Sequence, residues 1–137
     1  MTSFGTYCLC IQVKEDSEIV IGALGKLFFK NGLYIYVGSA LNGLETRINR
    51  HIKSNKTKQP VTHWHIDYLL KTLQVELYSI FTKKSSEKLE CYVSKKIAEF
   101  GIPVKGFGCS DCRCVSHLYK VNDCSFLVDL GFNRIAQ

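Results

Sequence analysis

Tyr36-Val37-Gly38-Ser39-Ala40, followed a few residues later by Arg47-Ile48-Asn49-Arg50-His51, is the stretch on which the fold turns. Aromatic and β-branched residues running into a glycine read as a strand that stops. From residue 43 to about residue 54 the period changes. Leu44, Ile48 and Ile52 recur every four residues, the spacing of one buried helical face. Arg47 and His51, one turn apart, lie along an edge of that stripe, and Arg50 points further toward solvent. The helix therefore packs on the sheet and presents Arg47 and His51 at its rim.

Upstream, Gly5-Thr6-Tyr7 opens a second strand-like run over residues 4–13, and residues 14–17 form a polar turn. Residues 18–23 read as the returning strand. Asn31-Gly32 is a tight-turn signal between runs at 26–30 and 33–38. The first forty residues are then a small antiparallel sheet. Downstream, Thr62 is the expected N-cap of a helix with Ile66, Leu69, Leu70 and Leu73 on one face. Residues 75–82 alternate as a strand. Ser86 is the expected cap of a third helix, with Leu89, Val93, Ile97 and Phe100 as its stripe and Gly101 and Pro103 ending it. The fold class is α+β: a small, mainly antiparallel central sheet flanked by about three helices, as one domain over residues 1–137.

The chain is long enough to build a core without disulfide staples, and 46% of its residues are hydrophobic. No apolar run approaches the roughly 20 residues of a membrane span, and the start lacks the basic and apolar segments of a secretory signal. An intracellular, cytoplasmic protein is expected, with no membrane partner. An odd count of seven cysteines argues against a disulfide framework under those conditions. Cys8 and Cys10 then read as small core side chains, and Cys91 and Cys124 as buried thiols.

The net charge is +6, and its placement is more informative than its size. Arg47, Arg50, Lys53, Lys56 and Lys58 follow one another with no acid between Glu45 and Asp67. Such a run is an electrostatic footprint for a polyanion, with Arg50, Lys53, Lys56 and Lys58 as nucleic-acid contacts. A solvated lysine face has the same composition.

The ordered set Gly5-Thr6-Tyr7, Tyr36-Val37-Gly38, Arg47 and His51 resembles the GIY-YIG nuclease superfamily. Tyr36 to Ala40 with Arg47-x-x-Arg50-His51 is most similar to its homing-endonuclease members. Residues 63–69, Glu90-Cys91 and residues 106–118 resemble an uncharacterised prokaryotic subfamily that occurs alone or fused to endonuclease III-type repair glycosylases. The tripeptides lie 29 residues apart from Tyr7 to Tyr36, where the family uses one short hairpin. Residues 18–29 therefore read as an inserted strand pair.

The resemblance implies a metal-dependent endonuclease acting on DNA in repair or processing, with a repair glycosylase as a partner. It implies that Tyr7 or Tyr36 handles the proton of the attacking water and that Arg47 stabilises the phosphate. It also implies that one acid on a later helix binds Mg²⁺ or Mn²⁺. Glu90, on the flank of the third helix, is the choice for that acid, and Glu87 projects the other way. His51 shares the catalytic edge with Arg47. Each residue also has a structural reading: a hydrogen-bonded core tyrosine, a helix-capping histidine, a rim glutamate.

Cys109, Cys112, Cys114 and His117 carry zinc-ligand chemistry, although the short spacing strains a tetrahedral site. The alternative is a reduced, structural turn that places Asp111, Arg113 and His117 near the cleft. His63, His65 and Asp67 would share a metal face on a strand, but a helix splays them apart and leaves hydrogen bonding or cleft contacts. Two other functions fit this composition: a nucleic-acid-binding module that does not cut, and a zinc-dependent interaction domain.

Overall fold

The computed structural model describes residues 4–40, 42–59, 62–109 and 114–135. The strands are β1 (Gly5–Val13), β2 (Ser17–Val20), β3 (Lys26–Phe29), β4 (Gly32–Ala40), β5 (Val75–Lys84), β6 (Gly101–Pro103), β7 (Leu118–Val121) and β8 (Asn133–Ile135). The helices are α1 (Leu44–Thr57), α2 (His65–Leu70) and α3 (Glu90–Ile97). Six strands form one antiparallel sheet in the order β6-β7-β4-β1-β5-β8. The α+β reading holds. Among the described residues no helix is long and apolar enough to cross a membrane.

The two tyrosine strands are neighbours at the centre of the sheet. β1 and β4 pair antiparallel from Gly5 opposite Ala40 to Val13 opposite Gly32, which sets Tyr7 across from Gly38 and Leu9 across from Tyr36. Tyr7, Leu9, Ile11, Tyr34 and Tyr36 face the side covered by α1 and α2. Cys8, Cys10, Ile35 and Val37 face the other side, under α3. Burial on both faces is why β1 is apolar without polar alternation. Each fully buried Leu or Ile there contributes roughly 1.5–3 kcal/mol.

The first forty residues do not form one sheet. β2 and β3 pair only with each other, a separate two-stranded ribbon inserted between the tyrosine strands. Ile19, Ile21 and Phe29 bury one side of it in the main core. The short helical turn Gly22–Leu24 joins its strands. Asp16 Oδ1 accepts from both Asn31 N and Asn31 Nδ2, which closes the base of the insert.

The two later helices start after their expected caps. Trp64, not Thr62, is the N-cap of α2, because Asp67 at the third helical position accepts from the amides of His63 and Trp64, each at 2.8 Å. α2 ends at Leu70, so Leu73 is left exposed. Before α3, Ser85 Oγ donates to Glu87 O and accepts from Glu87 N. This local turn holds the chain out of the helix until Glu90. Phe100 lies beyond α3, exposed and stacked on Phe126 with ring centroids 4.4 Å apart.

The cysteine expectation is also corrected. Cys10 and Cys124 form a disulfide across the α3 side of the sheet, and Cys91 and Cys114 form another. Their Cα atoms are 6.4 and 6.0 Å apart, within the span a disulfide bridges. Spacing along the chain could not show this, since the partners are 114 and 23 residues apart. Cys8, on the α3 side of β1, is buried and forms no disulfide among the described residues.

Candidate active site

The junction of β1, β4 and α1 leaves a cleft of about 880 Å³ on the helix side of the sheet. Tyr7, Tyr36, Arg47 and Glu90 all line it, from four different elements. The inserted ribbon supplies part of the rim through Gly22 and Ala23, and the approach to α2 supplies His63, Trp64 and His65.

Tyr7 sits at the floor, with its hydroxyl 2.8 Å from His51 Nε2. His51 is not at the rim; it is fully buried. The buried stripe of α1 runs Leu44, Ile48, His51 and Ser54, with Ile52 on its flank. A turn of 3.6 residues permits either a three- or a four-residue step from Ile48. The step that gives the imidazole a phenol partner is the one taken. His51 Nδ1 has no hydrogen-bond partner among the described residues. Tyr36 packs beside the pair, its ring 6.4 Å from Tyr7 and 6.5 Å from His51.

Gly38 makes this arrangement sterically possible. A β-carbon there would lie 2.5 Å from the Tyr7 hydroxyl, and the buried ring has no free direction in which to retreat. Gly38→Ala is expected to push Tyr7 off His51 and cost roughly 1–3 kcal/mol as overpacking. Urea midpoints would measure this, and an unchanged midpoint would mean that the ring yields freely.

Burial raises the Tyr7 phenol to about 12, against the opposing pull of the Arg47 charge and hydrogen bond. Tyr36 is pushed well above the usual phenol value, again chiefly by burial. Burial lowers His51 to about 4, with the Asp67 charge opposing and Arg50 and Arg47 assisting. Both phenols and the imidazole are thus neutral near pH 7.

This predicts an acid dependence of stability. The unfolded chain protonates His51 near pH 6.5 and the folded chain only near 4, so the unfolded state binds more protons in between. The contribution is complete above about pH 6.5 and is lost as pH falls toward 4, on the order of 3 kcal/mol in all. His65, lowered by its own burial, acts in the same direction. Urea midpoints at pH 7.5 and 4.5 should differ for the native chain and differ less for His51→Gln. Equal native midpoints would rule out a neutral buried imidazole.

Arg47 donates from Nη1 to Ser39 O at 3.2 Å, and its guanidinium lies 4.5 Å from the centre of the Trp64 ring. Arg50 also lies 4.5 Å over Trp64, but its role departs from the sequence reading. Arg50 donates to both oxygens of the fully buried Asp67 carboxylate, at 3.2 and 3.1 Å. Lys58 likewise donates to the carbonyls of Leu70, Thr72 and Val75, tying the end of α1 to α2 and β5. Lys53 and Lys56 are exposed. The basic run therefore divides into two structural cations, one cleft arginine and two exposed lysines.

Glu90, in the first turn of α3, is partly exposed, 3.6 Å from Lys88 Nζ and 3.9 Å from His117 Nδ1. It is the one acid among the described residues that line the cleft. The family model described as "Domain of unknown function DUF123" matches residues 6–134. The chain belongs to the DUF123 family. No curated protein and no solved structure matches it.

In this DUF123 chain the remaining candidates separate. His63 and His65 line the cleft. His65 Nδ1 accepts from Gly108 N at 2.8 Å. Asp67 is turned inward and occupied by Arg50 and two amides, so the three do not form a metal face. Asp111, Cys112 and Arg113 lie outside the described residues. Cys109 Sγ donates to Phe107 O, Cys114 is bonded to Cys91, and His117 is buried on the cleft wall. Trp64 and Lys88 are cleft residues that the sequence reading gave no role. Trp64 carried a signal, an aromatic between two histidines just after a basic run.

Proposed function

We propose that this chain is a metal-dependent endonuclease of GIY-YIG type that hydrolyses DNA phosphodiester bonds in repair or processing. The observation that carries this reading is the convergence of Tyr7, Tyr36, Arg47 and Glu90 on one cleft, with Tyr7 hydrogen-bonded to His51. Hydrolysis of the ester requires a proton acceptor for water and cations for the phosphoryl oxygens.

Tyr7, the tyrosine hydrogen-bonded to the imidazole, is the proton handler. At a value of about 12, only roughly one phenol in 10⁵ is ionised at pH 7, so a standing phenolate is not the base. Tyr7 instead takes the water's proton as its own passes to His51 Nε2, one donor replacing another along a single hydrogen bond. A phosphate anion entering the cleft favours the resulting imidazolium, since opposite charge raises a histidine's affinity for its proton. Arg47 holds a phosphoryl oxygen, and Tyr36 walls the site.

The donor set at Glu90 suits a hard divalent cation: a single, partly exposed carboxylate facing open cleft volume. Mg²⁺ or Mn²⁺ held there would neutralise phosphoryl charge and support the leaving oxygen. Exposed Lys53 and Lys56 draw the DNA backbone toward the cleft without reading its sequence.

Conversion of supercoiled plasmid to nicked circles tests the reading. Nicking should require Mg²⁺ or Mn²⁺, stop with chelator, and fall in Glu90→Ala. DNA binding without nicking in the native chain would instead establish a binding module.

A further inference from the structure

Away from the tyrosine floor, α3 and the segment entering β7 bring together two cysteine sulfurs, here joined as a disulfide, and an imidazole. Cys91 lies in the first turn of α3, Cys114 in the approach to β7, and His117 immediately before that strand. One donor atom from each lies within 4.8 Å of the other two. His117 is buried, whereas Cys91 and Cys114 are partly exposed. The His117 Nδ1 is 3.2 Å from Val37 O. A carbonyl only accepts, so Nδ1 is the donor in this bond and Nε2 is the ring nitrogen left for a metal. A backbone carbonyl that sets the tautomer in this way is the usual support of a metal-binding histidine.

We propose that the reduced chain binds one zinc ion through Cys91, Cys114 and His117. Two thiolates and an imidazole form a soft donor set that favours zinc over magnesium. Donors on a tetrahedral zinc stand roughly 3.3–3.8 Å apart at bond lengths of about 2.0–2.3 Å, so the present spacing needs only small side-chain movement. Two thiolates also cancel the charge of the ion, which suits a half-buried wall. Three protein ligands would leave a fourth position for another donor, and Glu90, Cys91 and His117 all line the cleft. This set differs from the cluster suggested by spacing along the chain, because Cys91 comes from a distant helix and Cys109 is not among the grouped donors.

The Cys91–Cys114 disulfide is the oxidised form of the same site. A dithiol reductant supplies two electrons and two protons: the Sγ–Sγ bond breaks, two S–H bonds form, and the reductant closes to its own disulfide. Zinc then displaces the two thiol protons to solvent. Disulfide and zinc each tie the start of α3, and with it Glu90, to the segment that enters β7.

The site is independent of the nuclease reading, and its test does not use activity. The full chain, purified under dithiol reductant and desalted, is expected to hold about one zinc per molecule by elemental analysis. Cobalt exchanged into it should show thiolate-to-cobalt charge-transfer absorption. Cys91→Ser and Cys114→Ser should each lose the metal, and Cys109→Ser should keep it. A fully reduced native chain with neither zinc nor the cobalt band overturns the proposal, and that measurement needs no variant to fold. Zinc retained at native stoichiometry in Cys91→Ser, or lost in Cys109→Ser, overturns this donor set.

Discussion

Arg47→Ala is expected to lower plasmid nicking by about 10²–10³-fold, the usual cost of removing one transition-state charge stabiliser. Among the described residues Arg47 is the arginine that lines the cleft, whereas Arg50 is committed to Asp67 and Lys58 to three carbonyls. Its loss also removes the contacts to Ser39 O and the Trp64 ring, each partly solvent-screened, so stability should fall by only about 1 kcal/mol. Activity and stability therefore separate. A folded Arg47→Ala chain that nicks at the native rate would remove Arg47 from the proposed chemistry. Arg47→Lys should recover only part of the rate, because an ammonium cannot replace a planar guanidinium against a phosphate.

Asp67→Ala is the second large effect, and it falls on stability. The carboxylate is fully buried and accepts from both terminal nitrogens of Arg50 and from the amides of His63 and Trp64. Removing it takes the buried acceptor from Arg50 and from two amides and uncaps α2, with an expected loss of about 3–5 kcal/mol in urea unfolding. A loss below about 1 kcal/mol would show that water satisfies those donors. Arg50→Ala in the same background should cost little more, because the charge needing a partner is then gone. Since Arg50 and Arg47 both lie over Trp64, loosening this corner should also blur the cleft wall.

The corner also marks where a one-dimensional reading stops. β5 and α1 were legible from their apolar periods, and β1 and β4 from unbroken runs rich in strand-forming residues, each over nine or more residues. The short helices were misplaced at their starts. With six and eight residues, their boundaries depend on single capping contacts rather than on a repeat. Tyr7, Tyr36, Arg47 and Glu90 were named from the sequence, but their meeting in one cleft was not readable from it. Arg50, Lys58 and Asp67 looked like surface or ligand residues because the contacts of Arg50 with Asp67 and of Lys58 with its carbonyls span 12 to 17 positions.

By itself the sequence determined the class of fold, the central pair of tyrosine strands as candidates for neighbours, and the basic helix beside them. These follow from local periodicity and turn chemistry, which each segment carries wherever it sits. Residues 18–29 also read as an inserted strand pair, and they form one. Tertiary structure alone decided that His51 goes inward to meet Tyr7 and that Cys91 meets Cys114 beside His117. The reason is physical: a buried polar or thiol side chain takes its role from the partner that burial forces on it, and that partner belongs to another element.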